Sequence, residues 1–303
     1  MYFGIPAIVS AGDKDRELIL DRVPGAFFAW SLQLLSANFV DPAIRALNSS
    51  TLLESDFHPY HYLDPADFQS FKDDIVNFSP AILTRILKLY DQSGNGFFLT
   101  HSNVSNAGKI KGDDDVFWYT ASNASGDFPA NDLLKVEKAF PGIQDEYFTT
   151  NYDRTDANLP DLKNGCTLFV LDGSRGTGVR AFFGLNGVRL FSGYKSVAAT
   201  VVDGSQVLVE ESCAKTTQNG LSVICFRLFP NLTYDLTVNG VYSPGTDSPD
   251  TTATFVANRM RFGRELNALP ASFKKEVIMY DSALTDSQVS IIINDMRARY
   301  GCL

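Results

Sequence analysis

The chain has 303 residues, 45 % hydrophobic and 20 % charged, enough apolar mass for one large β-domain with decorations or for two smaller domains. Its net charge of −9 excludes nucleic acid as a partner, because phosphate backbones attract Lys and Arg surfaces and repel acidic ones; such a charge keeps a surface soluble. Phe is abundant (23) against 2 Trp and 4 Met, and with 22 Gly and many Thr and Val this favours packed sheets over helical bundles.

Residues 1–24 show little amphipathic pattern beyond Leu18–Val23 and read as an N-terminal arm or leading strand. The start lacks a basic stretch and its apolar run is short, so no signal peptide is expected. No run approaches the roughly 20 apolar residues of a membrane helix, so no membrane insertion is expected either. In 25–37 the apolar residues Phe27, Phe28, Trp30, Leu32, Leu34 and Leu35 fit strand alternation in part and a short helix equally well. Residues 41–80 read as irregular, with an insertion near 45–80. Within it Pro65 opens a short helix that puts Phe68, Phe71 and Ile75 on one face, and Pro80 stops it.

Residues 82–101 change to strand–turn–strand around Gly94-Asn95-Gly96, where Asn-Gly tolerates positive φ. A second insertion, near 102–145, holds the acidic turn Asp113-Asp114-Asp115 leading into a strand at Val116–Thr120. From residue 165 short apolar runs recur at spacings of roughly 8–12 residues between Asp-Gly, Asn-Gly and Gly breakers, the pattern of a sandwich. The chain closes with a strand at Glu276–Tyr280 and a helix capped by Thr285. Val289, Ile292, Ile293 and Met296 form its buried stripe, Arg297 and Arg299 favour its C-terminal end, and Gly301 ends it. This organisation predicts one β-domain over 25–303 behind the arm 1–24.

Few residues carry a pattern that points to chemistry. Cys166, Cys213, Cys225 and Cys302 are dispersed and far from His58, His61 and His101, which argues against zinc and for buried free thiols. Asn48, Asn77, Asn103, Asn123 and Asn231 open N-x-S/T triplets that read as chance matches. A glycosidase needs two carboxylates about 5–10 Å apart; Asp91, Asp172, Glu210, Glu211 and Glu276 are candidates among 35 acids. Asp91 is expected to cap the amides of Ser93 and Gly94, and Glu276 to be a structural partner. His58-Pro59-Tyr60-His61 lacks a third metal ligand at sensible spacing and reads as an aromatic loop, so no metal site is assigned. Asp113, Asp114 and Asp115 with Trp118 and Tyr119 are the candidate ligand-binding residues. Carboxylates can hold calcium beside rings that stack on sugars; the alternative is a solvated turn before a strand. Gly173–Gly178 lacks the Lys-Ser/Thr of a phosphate loop, and Ser222 and Cys225 have no nucleophile-elbow context, so no catalytic residue and no resident cofactor are assigned.

Two resemblances attach to these stretches. Residues 276–301, with the upstream pieces 166–174, 221–240 and 255–265 in matching order, resemble the closing half of concanavalin A-like/laminin-G-like jelly rolls. Residues 26–50 and 88–101, above all Tyr90-Asp91-Gln92-Ser93-Gly94-Asn95-Gly96, resemble segments of the arabinofuranosidase B-type sandwich found in phage tail and virion proteins. Gln33 stands where that family usually has Arg, Ala46-Leu47 where a basic pair is usual, and Phe97 where Asn is common. The resemblances imply an all-β, antiparallel jelly-roll β-sandwich with a short C-terminal helix. They imply a bacteriophage virion component (tail fibre, receptor-binding or decoration protein) assembled in the host cytoplasm. Its partners would be other virion proteins, a host-surface glycan and copies of itself, and it would be more a binding module than an enzyme. A glycoside hydrolase or depolymerase with a carboxylate pair, and a purely structural capsid or tail protein, are the alternatives.

Overall fold

A computed structural model describes residues 17–79, 84–96, 98–100, 109–113, 116–120, 148–150, 165–172, 181–185, 188–192, 196–203, 206–214, 222–230, 233–244, 260–262 and 273–300. Three helices, α1 (Ile19–Arg22), α2 (Pro65–Phe78) and α3 (Asp286–Tyr300), accompany the strands among these residues. The strands of the first half are β1 (Phe28–Ser31), β2 (Ile44–Asn48), β3 (Glu54–Phe57), β4 (Thr84–Tyr90), β5 (Phe98–Thr100), β6 (Lys109–Asp113), β7 (Val116–Thr120) and β8 (Phe148–Thr150). They are followed by β9 (Cys166–Asp172), β10 (Ala181–Leu185), β11 (Val188–Ser192), β12 (Ser196–Asp203) and β13 (Gln206–Ala214). The last five are β14 (Ser222–Leu228), β15 (Tyr234–Val238), β16 (Val241–Pro244), β17 (Met260–Phe262) and β18 (Phe273–Tyr280).

The pairings between the described strands are all antiparallel. One layer runs β16–β15–β14–β9–β18–β1. The other runs β3–β2–β4–β5–β8–β17–β10–β11–β12–β13. The β6–β7 hairpin links them, β6 touching β4 at Arg85 and β7 joining the start of β18. The two halves of the chain are interleaved: β1 lies beside β18, with Phe28 opposite Met279 and Ser31 opposite Glu276. An antiparallel β-sandwich with a C-terminal helix is the result.

The strands of the first layer are buried on both faces, which is why their sequences read as continuous apolar runs rather than alternations. One face carries Ala29, Phe169, Leu171, Val223, Cys225, Ile278 and Tyr280, covered by Val289, Ile292, Ile293 and Met296 of α3 and by Ile19, Leu20 and Val23 of α1. The opposite face buries Phe28, Trp30, Leu168, Val170, Phe226 and Met279. Trp30 Nε1 donates to Ala43 O (3.3 Å) at the entrance to β2, whose Ile44 and Ala46 are buried with Ile86 and Leu89 of β4. Each of these large side chains contributes on the order of 1.5–3 kcal/mol through burial.

Helix boundaries follow local chemistry. Asp64 Oδ1 accepts from Ala66 N (3.0 Å) ahead of Pro65, and Phe71 and Ile75 are buried, as the helix pattern predicts. α3 starts with a capping box: Thr285 Oγ1 accepts from Gln288 N (3.4 Å), and Gln288 Oε1 accepts from Thr285 N (3.0 Å). Its apolar stripe is the expected one. Asn239 and Gly240, both at positive φ (51° and 84°), make the two-residue turn from β15 to β16.

Three expectations need correction. The segment 1–24 is not an arm throughout: from Leu18 onward it is core, with Leu18, Ile19, Leu20 and Val23 buried, Tyr280 Oη donating to Val23 O (2.6 Å), and 1–16 outside the described residues. Residues 41–64 are not irregular, because β2 pairs with both β3 and β4. In the Gly94-Asn95-Gly96 turn the two glycines take positive φ (89° and 77°), while the Asn95 amide donates to Ala26 O (3.1 Å) and Phe27 O (2.9 Å).

Candidate functional site

The five residues expected to bind ligand all have side chains outside the described ones. Asp113 ends β6 opposite Val116, Trp118 pairs with Lys111, and Tyr119 pairs with Ile110 and Lys274. Asp114 and Asp115 lie outside the described residues, as do the side chains of Asp172, Glu210 and Glu211.

The two remaining candidate acids are structural. Asp91 Oδ1 accepts from Ala29 N (2.8 Å) and Ser93 N (2.9 Å), and its Oδ2 accepts from Ser93 Oγ (2.6 Å). It therefore holds β1 as well as its own turn, and the second amide it binds is that of Ala29 rather than Gly94. Gln92 completes the lashing: Oε1 accepts from Leu35 N (2.9 Å) while Nε2 donates to Ser31 O (2.8 Å) and Gln33 O (3.0 Å). A cleft of about 520 Å³ opens beside this loop, but Asp91, Gln92, Ser93, Asp21 and Ser36 on its walls already have partners. Glu276 is fully buried and bidentate to Arg299 (2.5 and 2.6 Å), with Tyr300 Oη donating to it at 2.9 Å.

A different concavity has groups to spare. Between α2 and the segment Ser55–Tyr60 lies a groove of about 460 Å³. Its floor is aromatic. Tyr60 packs against Phe71 (ring centroids 5.3 Å apart), and Phe57 meets Phe78 edge to face at 5.3 Å. Burial pushes the Tyr60 phenol up to about 12, against the opposing hydrogen bond from Gln33, so it stays a neutral hydroxyl across the physiological range.

The rim is polar because α2 presents Asp67, Ser70, Asp74 and Asn77 at helical spacing on the groove side. Asp67 Oδ2 accepts from His61 N (2.5 Å) and so pins the aromatic loop to the helix. Asp56 is held by Arg45 through Nε (2.8 Å) and Nη2 (2.6 Å) and by Tyr90 Oη (3.3 Å); the Arg45 hydrogen bond keeps its carboxyl below the usual range. Ser70, Asp74, Asn77 and His58 spend no side-chain hydrogen bond within the protein among the described residues. Aromatic faces beneath uncommitted hydroxyl, amide and carboxylate groups can hold a polyhydroxylated ring, its C–H face on the aromatics and its hydroxyls on the rim.

Sequence reasoning missed this groove. The polar positions 67, 70, 74 and 77 beside the apolar stripe of α2 were visible, but nothing in the sequence said that the His58–His61 loop would fold against them. No group of three metal-ligating side chains occurs among the described residues.

No family model and no curated protein sequence matches the chain. Solved structures do. An arabinofuranosidase complexed with arabinofuranosyl-α-1,2-xylobiose overlaps 93 % of this chain and 64 % of its own, at 14 % identity and a TM-score of 0.58. A GH54 α-L-arabinofuranosidase soaked with a cyclic sulfate inhibitor overlaps the same shares at 14 % identity and a TM-score of 0.60. The receptor-binding domain of botulinum neurotoxin type G overlaps 70 % of this chain and 51 % of its own at 10 % identity, with a TM-score of 0.46. This chain spans 64 % of the length of the arabinofuranosidases, and it has the β-sandwich fold that they have.

Proposed function

We propose that this chain is a lectin-like module that binds a host-surface glycan in the groove between α2 and Ser55–Tyr60. The observation that carries this is the aromatic floor under a rim whose Ser70, Asp74, Asn77 and His58 side chains make no hydrogen bond among the described residues. Each ring under a sugar contributes on the order of 0.5–1.5 kcal/mol, so a single site binds weakly and avidity must come from several copies. The setting we propose is a virion surface component assembled in the host cytoplasm, a homo-oligomer of concanavalin A-like jelly rolls. The resemblance of 26–50 and 88–101 to sandwich segments of phage tail and virion proteins supports it.

The test is binding of the purified chain to a glycan array and to host cells, with released sugars monitored in the same samples. Binding that weakens in Asn77→Ala, without sugar release, is expected. Silence on both supports sinks the glycan reading and leaves a structural capsid or tail role. Release of sugar favours a second reading, a glycoside hydrolase, which the overlap with arabinofuranosidases supports. That enzyme would have to use carboxylates other than Asp91 and Glu276, whose oxygens are committed.

A further inference from the structure

We infer that the groove prefers a glycan carrying a protonated amine and repels acidic glycans; this rests on the glycan-binding reading above. Three carboxylates, Asp56, Asp67 and Asp74, line the groove, and no Lys or Arg stands beside them among the described lining residues. Asp56 is neutralised by Arg45 and Asp67 is engaged by His61 N, so their remaining influence is on the field rather than on direct contact. Asp74 differs. It is exposed, has no partner among the described residues, and sits one helical turn from both Ser70 and Asn77.

Two independent features push in the same direction. The last turn of α2 carries no basic residue of its own, so the negative end of the helix beside Asn77 and Phe78 favours a ligand cation. The aromatic lining, with Tyr60 among it, favours an ammonium group through its ring electrons and gives nothing to a carboxylate or sulfate. A sugar amine placed beside the aromatic lining with its N–H groups toward Asp74 satisfies both, while Ser70 and Asn77 serve the neighbouring hydroxyls. An acidic sugar meets the Asp74 carboxylate directly, in a chain of net charge −9.

The experiment is titration calorimetry of the full chain with a chitosan tetrasaccharide and with its fully N-acetylated counterpart, which share a backbone and differ in the free amine. At a pH where the amine is protonated, the free-amine form should bind roughly fivefold tighter, the scale of one partly desolvated charge contact, and the advantage should shrink at high salt. Asp74→Asn should bring the free-amine affinity down to that of the acetylated form. Asp73→Asn lies on the same helix outside the groove and changes the net charge equally; it should keep the preference. Equal or tighter binding of the acetylated form overturns the amine inference while leaving glycan binding intact. Loss of the preference in Asp73→Asn also overturns it, since bulk charge would then be the cause. If neither oligosaccharide binds while another glycan on the array does, the inference fails alone; if nothing binds, both readings fail.

Discussion

Arg299 shows how a charge survives in the middle of this fold. Its side chain is 1 % exposed, yet it donates to Glu276 twice, to Asp295 at 2.6 Å and to Gln33 at 2.8 Å. Asp295 takes a second cation, Arg22, at 3.2 Å, so two carboxylates face two guanidiniums among the described residues. Removing one partner leaves an uncompensated buried charge. Glu276→Ala should therefore cost about 3–5 kcal/mol in urea unfolding, and Arg299→Lys about 2 kcal/mol or more, because a single ammonium cannot reproduce the bidentate fork. A loss below about 1 kcal/mol for Glu276→Ala would mean the cluster is hydrated in solution. Gly165 is a residue of another kind: at φ +88° any Cβ would sit 2.8 Å from Leu228 O. Gly165→Ala should destabilise by about 2–3 kcal/mol, combining left-handed strain with the clash, whereas Gly94→Ala, with open space around it, should lose only about 1 kcal/mol.

At the scale of elements, the informative pair is α1 and α3, which together cover one face of the first layer. α3 is anchored at its start by the Thr285–Gln288 box and by Arg227, which reaches from β14 to Leu284 O (2.8 Å) and Asp286 (2.7 Å) while holding Asp235 across the strand pair. Thr285→Ala should cost about 1 kcal/mol. The N-terminal element sets a sharper test. A chain starting at Glu17 keeps Leu18, Ile19, Leu20 and Val23 and sets the reference denaturant midpoint. A chain starting at Gly25 loses four buried apolar side chains, each worth on the order of 1.5–3 kcal/mol, and should unfold at a much lower one. Equal midpoints for the two truncations would show that α1 is not part of the cooperative core.

For the whole molecule, burial of weak acids dictates a pH response. Burial raises the Cys166 thiol from 9.0 to about 12 and the Tyr60 phenol from 10.0 to about 12, and it raises Cys225, Tyr280 and Tyr300 as well. A raised acid keeps its proton in the folded state after the unfolded chain has released it, so the unfolded state gains as pH climbs. Stability is thus unaffected by these groups below about pH 8 and falls progressively from about pH 9 towards pH 12, with midpoints in urea declining over that window. A flat profile to pH 11 would mean that these side chains reach solvent.

The sequence by itself determined the elements whose signals are local. Asp64-Pro65 and the Phe71/Ile75 spacing specified α2, Thr285 and its apolar stripe specified α3, and the dense short runs after residue 165 specified an antiparallel sandwich, because caps, periodicity and turn residues act over a few positions. The Tyr90–Gly96 motif was legible as a turn, and Glu276 as structural. Their partners were not: Asp91 binds an amide 62 residues away, and Glu276 pairs with Arg299 on the far side of a turn and a helix. Only the tertiary structure decided that α1 is core, that β2 lies between β3 and β4, and that Asp74 stands over a floor made by Phe57, Tyr60, Phe71 and Phe78. Long-range pairing is chosen by the summed fit of whole faces, a quantity no short window of residues contains. The groove exists because a helix and a loop, each locally ordinary, fold with their polar rims turned to the same space.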